Sequence, residues 1–185
     1  MSKNIVAIVG RDRPGLVHLV SKVLAANGGT IEEVNQTTLK GQFAGLFSVN
    51  VPDGLEESLL DQALAEALAG VSMSHFIAPP SSLEEPQVTP VMEPYVITLQ
   101  GPPSPALIPG ITQTVASFDV NIDNLRAVTL SEDQGVAPQA LVLEISVPAT
   151  VQQRVFRQAL SLTAEELGID INLQHRDIFE ALHRL

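Results

Sequence analysis

Residues 4–10, Asn-Ile-Val-Ala-Ile-Val-Gly, form a short apolar run that predicts a strand. A turn follows, Gly10-Arg11-Asp12-Arg13-Pro14-Gly15, and then Leu16, Leu19, Val20, Val23 and Leu24 recur at the spacing of one buried helical stripe. Asn27-Gly28-Gly29 stops this helix, because glycine tolerates the left-handed conformation that closes one. Residues 30–39 and 42–51 read as strands joined through Lys40-Gly41 in a tight hairpin, with Phe43, Gly45, Phe47, Val49 and Val51 on one face. Residues 54–69 predict a second helix with Leu55, Leu59, Ala63 and Ala67 inward, and Val71 to Ala78 a last strand.

The whole pattern then repeats. Ile5-Val6-Ala7-Ile8-Val9-Gly10 superimposes on Val96-Ile97-Thr98-Leu99-Gln100-Gly101 at an offset of 91 residues. The same offset sets Pro14 on Pro105, Leu16 on Leu107, Ile31 on Ile122, Val34 on Leu125 and Thr38-Leu39 on Thr129-Leu130, without a gap. A longer loop at Ser131 to Val136 then moves the offset to 96, where Pro52 meets Pro148. The second copy predicts strands near 95–100, 120–130, 138–147 and 168–174, with helices near 107–118 and 149–167. Pro109 fits only a first helical turn, so the first helix of this copy is expected to start later than its counterpart.

Each copy thus runs β, α, β, β, α, β, the ferredoxin-like order, and the fold class is α+β with antiparallel sheets and helices on one face. The domains are 1–78 and 95–174, separated by a Pro-rich spacer at 79–94 and followed by a tail at 175–185. In the tail, Ile178, Phe179, Leu182 and Leu185 are expected on one side. A length of 185 residues suits two such domains of about 75–90 residues each.

Charge and composition narrow the function. The net charge of −11, with 21 acids against 10 bases and no basic patch, argues against nucleic acid as a direct partner. The absence of cysteine removes disulfide scaffolds, thiolate metal sites and cysteine nucleophiles. No signal-peptide pattern and no spanning apolar run are present, so no membrane role and a cytoplasmic location are expected. His18, His75, His175 and His183 lack metal-ligand spacing and any carboxylate arrangement around them, and Ser48, Ser104 and Ser161 lack a nucleophile-elbow context. No GxGxxG or GxxxxGK[ST] motif occurs. No enzyme, cofactor or metal site is therefore expected.

Two segments hold candidate chemistry. In the turn at 10–16, Gly10 and Gly15 permit close backbone approach and Pro14 pre-sets a helix start whose free amides suit a carboxylate. Asp12 can then meet an ammonium group, which together is what a zwitterionic amino acid needs; a simply capped helix start with solvated charges fits the spacing too. In the next strand an apolar step of three, Ile31 to Val34 and again Ile122 to Leu125, predicts a β-bulge or a strand entry point in both copies. It leaves Glu33, Asn35 and Thr37 on one side and Gln36 on the other, either reaching a ligand across an interface or solvated on an edge strand.

The run Gly-Arg-Asp-Arg-Pro-Gly-Leu-Val at 10–17, with the repeat, resembles the ACT domain family over essentially the whole chain. The arrangement is similar to glycine-cleavage-system transcriptional repressors and to the N-terminal regulatory half of some phosphoserine phosphatases, whose Asp-x-Asp catalytic motif is missing here. The resemblance implies a regulatory protein, likewise non-catalytic, that binds a small amino acid, serine or glycine favoured, at an interface between units of a homodimer. It implies Asp12, Arg13, Pro14, Gly15 and Leu16 as ligand contacts, with Asn35 and Gln36 reaching from a neighbouring unit, and a signal passed to a protein partner. The alternative it leaves open is a regulatory fragment of a phosphatase that lacks its catalytic domain. The second copy departs from the motif, reading Gly101-Pro102-Pro103-Ser104-Pro105-Ala106.

Overall fold

The computed structural model describes residues 2–78, 91–130 and 137–183. Most of the expected spacer, the expected longer loop at 131–136, and Arg184 and Leu185 of the tail lie outside them. The chain divides into two compact units, Met1–Gln87 and Val88–Leu185. The first unit contains β1 (Ser2–Arg11), α1 (Leu16–Ala26), β2 (Thr30–Leu39), β3 (Gln42–Val51), α2 (Glu57–Ala69) and β4 (Met73–Ala78). The second contains β5 (Met92–Gly101), α3 (Leu107–Ala116), β6 (Asn121–Thr129), β7 (Gln139–Pro148), α4 (Gln153–Leu167), β8 (Asp170–His175) and α5 (Arg176–His183).

Each unit has one antiparallel four-stranded sheet, in the order β2-β3-β1-β4 and, identically by repeat position, β6-β7-β5-β8. Alternation decides which face is covered. In the first unit Val6 and Ile8 of β1 and Phe43, Phe47, Val49 and Val51 of β3 join Leu16, Val20 and Leu24 of α1 in one buried core. In the second, Ile97, Leu99, Leu141, Leu143 and Ile145 pack with Ile111 of α3 and Phe156 and Leu160 of α4. Of the two readings of the apolar step of three, the β-bulge is the one found, between Ile31 and Glu33 and between Ile122 and Asn124.

Three expectations need correction. The buried stripe of α2 is Leu60, Leu64 and Leu68, one residue on from the predicted one, while Leu59 is 53% exposed. Leucine buries more apolar area than alanine, so the helix turns its three leucines inward and leaves Ala63 and Ala67 on the flank. The helix also starts at Glu57 rather than 54, since Gly54 is left-handed at φ 88° and Leu55 N–H donates to Pro52 C=O, which closes a turn there. Finally, α3 begins at Leu107, the repeat position of Leu16, and not later. Pro109 is its third residue, whose N–H would have no helical acceptor; the ladder starts with Gly110 N–H donating to Ala106 C=O at 2.9 Å.

Candidate functional site

Strand β1 delivers the charged turn to the start of α1. Asp12 N–H donates to Gly41 C=O at 2.9 Å, which ties the turn to the β2–β3 hairpin, itself closed by Lys40 and Gly41 at φ 49° and 77°. Gly15 then sits at the helix N-cap with φ 90° and ψ 2°, a left-handed conformation that disfavours any side chain. Its carbonyl accepts the first helical bond, from Leu19 N–H at 2.9 Å, and no side chain caps the helix start. The amides of the first turn therefore keep their affinity for an anion.

A concavity of about 250 Å³ opens at this point, lined by Asp12, Arg13, Gly15, Leu16, Val17, His18, Gln36, Thr38 and Phe43. Asp12, Arg13, Gly15, Leu16 and Gln36 are thus brought together within one unit. Pro14 and Asn35 do not line it. Asn35 pairs with Leu46 and Gln36 with Gly45, so they project to opposite faces of the sheet. Room beside Gln36 exists because residue 45 is glycine: a Cβ there would come within 2.8 Å of Phe43 Cζ and 3.1 Å of Phe47 Cε2.

His18, Thr38 and Phe43 belong to this lining and were not singled out from the sequence. Two signals were available. Thr38 shares the parity of Gln36, and Phe43 is its cross-strand partner. His18 lies in the first turn of α1. On the other side of the same turn, Arg11, Asp12 and Arg13 face Gly70, Val71 and Ser72 across a second concavity of about 350 Å³. Among the described residues neither Asp12 nor either arginine makes an ion pair.

The second unit is built differently at the equivalent point. Ala106 takes the N-cap in a right-handed conformation, at φ −85°, and donates its N–H to Ser104 Oγ at 3.2 Å. The loop carries no charge, and its prolines leave fewer amides to offer. Histidines do acquire carboxylate neighbours, contrary to expectation. His75 Nε2 lies 2.9 Å from Asp61 Oδ1, and His175 Nδ1 lies 3.5 Å from Asp177 Oδ2. The first pair is made by packing α2 against β4, which spacing along the chain does not reveal. Among the described residues no group of three or more His, Cys, Asp or Glu could hold a metal, and no helix is long and apolar enough to cross a membrane.

Comparison with known proteins matches the ACT domain to residues 4–74 and again to residues 95–174. A UPF0237 protein of Methanopyrus kandleri is 29% identical over 90 residues, which are 49% of this chain and 96% of that protein. A UPF0237 protein of Methanococcus maripaludis is 31% identical over 94 residues, 51% of this chain and 100% of that one. The crystal structure of an unknown protein from Galdieria sulphuraria superimposes with a TM-score of 0.80 at 26% identity, covering 94% of this chain and 98% of the other. A protein proposed to be a glycine cleavage system transcriptional repressor gives 0.66 at 15% identity, with 94% and 96% covered, and speaks for the fold alone.

Proposed function

Because the chain belongs to the ACT domain family, with one such domain in each half, we propose that it is a regulatory protein whose first domain binds a small free amino acid at the Asp12–Leu16 turn. The observation that carries this reading is the uncapped, glycine-led start of α1 opening into the same concavity as Asp12. The helix amides receive the ligand carboxylate, Asp12 takes the ammonium group, and Gln36 orients the remainder. The charged and polar lining suits the zwitterionic backbone of a free amino acid, and serine or glycine is the ligand that the likeness to the family's regulators favours. Asn35 lies on the other face of this edge strand, and its role would be toward a neighbouring unit rather than toward this concavity. Binding would order the turn and the hairpin it is tied to, and so alter the surface offered to a protein partner.

The test is thermal unfolding of the whole chain against each common amino acid. A ligand at 100 times its dissociation constant adds about 2.7 kcal/mol. We expect a selective rise in Tm that Asp12→Ala and Gly15→Val abolish while their circular dichroism stays native. A flat panel, or variants that respond like the parent, would overturn the assignment.

A further inference from the structure

Where the Asp12 turn meets the connection between α2 and β4, the two units differ in their chemistry. Arg11, Asp12 and Arg13 there face Gly70, Val71 and Ser72 across the concavity of about 350 Å³. At the repeat offset of 91, Arg11 meets Pro102 and Arg13 meets Ser104. At the later offset of 96, Gly70 meets Glu166 and Ser72 meets Gly168. At these positions the second unit holds one acid and no cation, whereas the first holds two guanidiniums and the carboxylate of Asp12. In a chain of net charge −11, the arginine pair is a local reversal of sign. Among the described residues neither arginine makes an ion pair, and neither they nor the Ser72 hydroxyl have a side-chain hydrogen bond.

Two residues of the first unit depart from what its backbone asks for. Ser72 has φ 53°, in the left-handed region that favours glycine, and Gly168 holds the same place in the repeat at φ 64°. A serine kept in a glycine conformation adds a hydroxyl to the lining. Gly70 is the reverse case. Its φ of −76° suits any residue, and a Cβ there would meet nothing within 4 Å. Neither backbone nor packing requires glycine at 70; it leaves the approach to the arginines clear of the acid that the second unit carries. We propose that this concavity is a second ligand site, which takes the phosphate monoester group of a small molecule. One guanidinium fork satisfies the two oxygens of a carboxylate. A phosphoryl group brings about two negative charges and three acceptor oxygens, and so uses both forks and the Ser72 hydroxyl together. The inference is independent of the amino-acid site, because Arg11, Gly70 and Ser72 do not line the concavity that opens at α1.

Isothermal titration calorimetry of the full chain tests it, with glycerol phosphate, inorganic phosphate and acetate as probes at constant ionic strength. Both phosphates should bind, one per chain, while acetate at the same millimolar concentration gives only its heat of dilution. Arg11→Ala should weaken binding of glycerol phosphate about tenfold. Gly70→Glu should abolish it and Gly70→Gln should retain most of it, which separates charge from bulk. Ser72→Gly should lower the affinity severalfold yet leave the melting temperature essentially unchanged, since relief of the left-handed strain offsets the added freedom of the unfolded chain. A merely structural serine would not separate the two readouts. The proposal is overturned if neither phosphate binds, if acetate binds as tightly as the ester, or if inorganic phosphate binds and the ester is excluded. It is equally overturned if Arg11→Ala, Gly70→Glu or Ser72→Gly binds like the parent. None of these substitutions touches Gly15 or Asp12, whose loss should abolish the amino-acid thermal shift, so the two readings fail separately.

Discussion

The carboxylate of Glu32 lies 2.9 Å from the ammonium of Lys3, held there because Glu32 is the residue that the β2 bulge leaves without a partner strand position. Asn50 Nδ2 donates to the same carboxylate at 2.5 Å. The repeat preserves the device with other residues. Asp123, skipped by the β6 bulge, accepts from Ser146 Oγ at 2.6 Å and Asn121 Nδ2 at 2.7 Å, and Ser146 is the repeat position of Asn50. A bulge turns an acidic side chain back across the sheet, and each unit supplies a donor to receive it.

The hydrogen bond from Lys3, then that from Asn50, then the Lys3 charge hold the Glu32 carboxyl below its ordinary range. A depressed carboxylate contributes stability above its unfolded pKa and loses it as pH falls through the folded one. Denaturant unfolding between neutral pH and pH 3 should therefore show a shallower acid-side loss in Glu32→Gln than in the parent. The difference should be small, since the pair is exposed, and should shrink further in high salt. An identical acid limb in parent and variant would show that the pair is absent in solution.

Tyr95 is the only tyrosine, and the chain has no tryptophan, so its phenol can be titrated alone by ultraviolet absorbance. Burial, followed by its hydrogen bond to Glu93 at 3.2 Å and the Glu93 charge, raises it above the ordinary phenol value. Gln153, which also reaches Glu93 at 2.9 Å, completes the group. The unfolded chain ionises first, so stability should fall as pH rises past the ordinary value. The absorbance midpoint of the folded protein should lie above that of the urea-unfolded chain. Tyr95→Phe should cost about 1 kcal/mol at neutral pH.

The inward stripe of α2 distinguishes neighbouring leucines. Leu60→Ala empties a site that is 2% exposed and should cost about 2–5 kcal/mol. Leu59→Ala, at 53% exposure, should change stability by under about 0.5 kcal/mol. Chemical denaturation of both variants measures the contrast, and equal costs would mean that the helix is rotated.

Gly10 and Gly101 match in the repeat because both pass close to the strand entering from the second helix. A Cβ on Gly10 would come 2.8 Å from Ser72 O, and one on Gly101 would collide with Ile169 Cγ2. Gly101→Ala should destabilise by about 1–3 kcal/mol through overpacking. Adding Ile169→Ala should recover part of that cost, and a double-mutant cycle reads the coupling directly.

Much of the fold was legible because alternation and helical spacing report burial directly. Residues 30–39 and 42–51 were bounded correctly as strands, and the step from Ile31 to Val34 marked an irregularity, a bulge or a strand entry, that the register shows to be a bulge. The rotation of α2 was not legible. Leu55, Leu59, Ala63 and Ala67 keep the same spacing as Leu60, Leu64 and Leu68, and periodicity alone does not say which of two adjacent apolar rows meets the sheet. At the candidate site, the Asp12 to Leu16 turn could be read from its glycines and charges, and His18 from its place in the first turn of α1, but that Thr38 and Phe43 enclose this turn depends on the hairpin bringing β2 and β3 to it.

By itself the sequence determined the duplication, the order of elements in each copy, the irregular step in β2 and β6 and the charged turn, all of them local or periodic properties of the chain. Tertiary structure alone decided which side of each helix is buried, that Gln36 joins Asp12 while Asn35 faces away, and that the outer face of one sheet lies under α5 while that of the other stands open. These depend on contacts between residues far apart in sequence, whose energies come from the area each packing removes from water, and no local pattern encodes that sum.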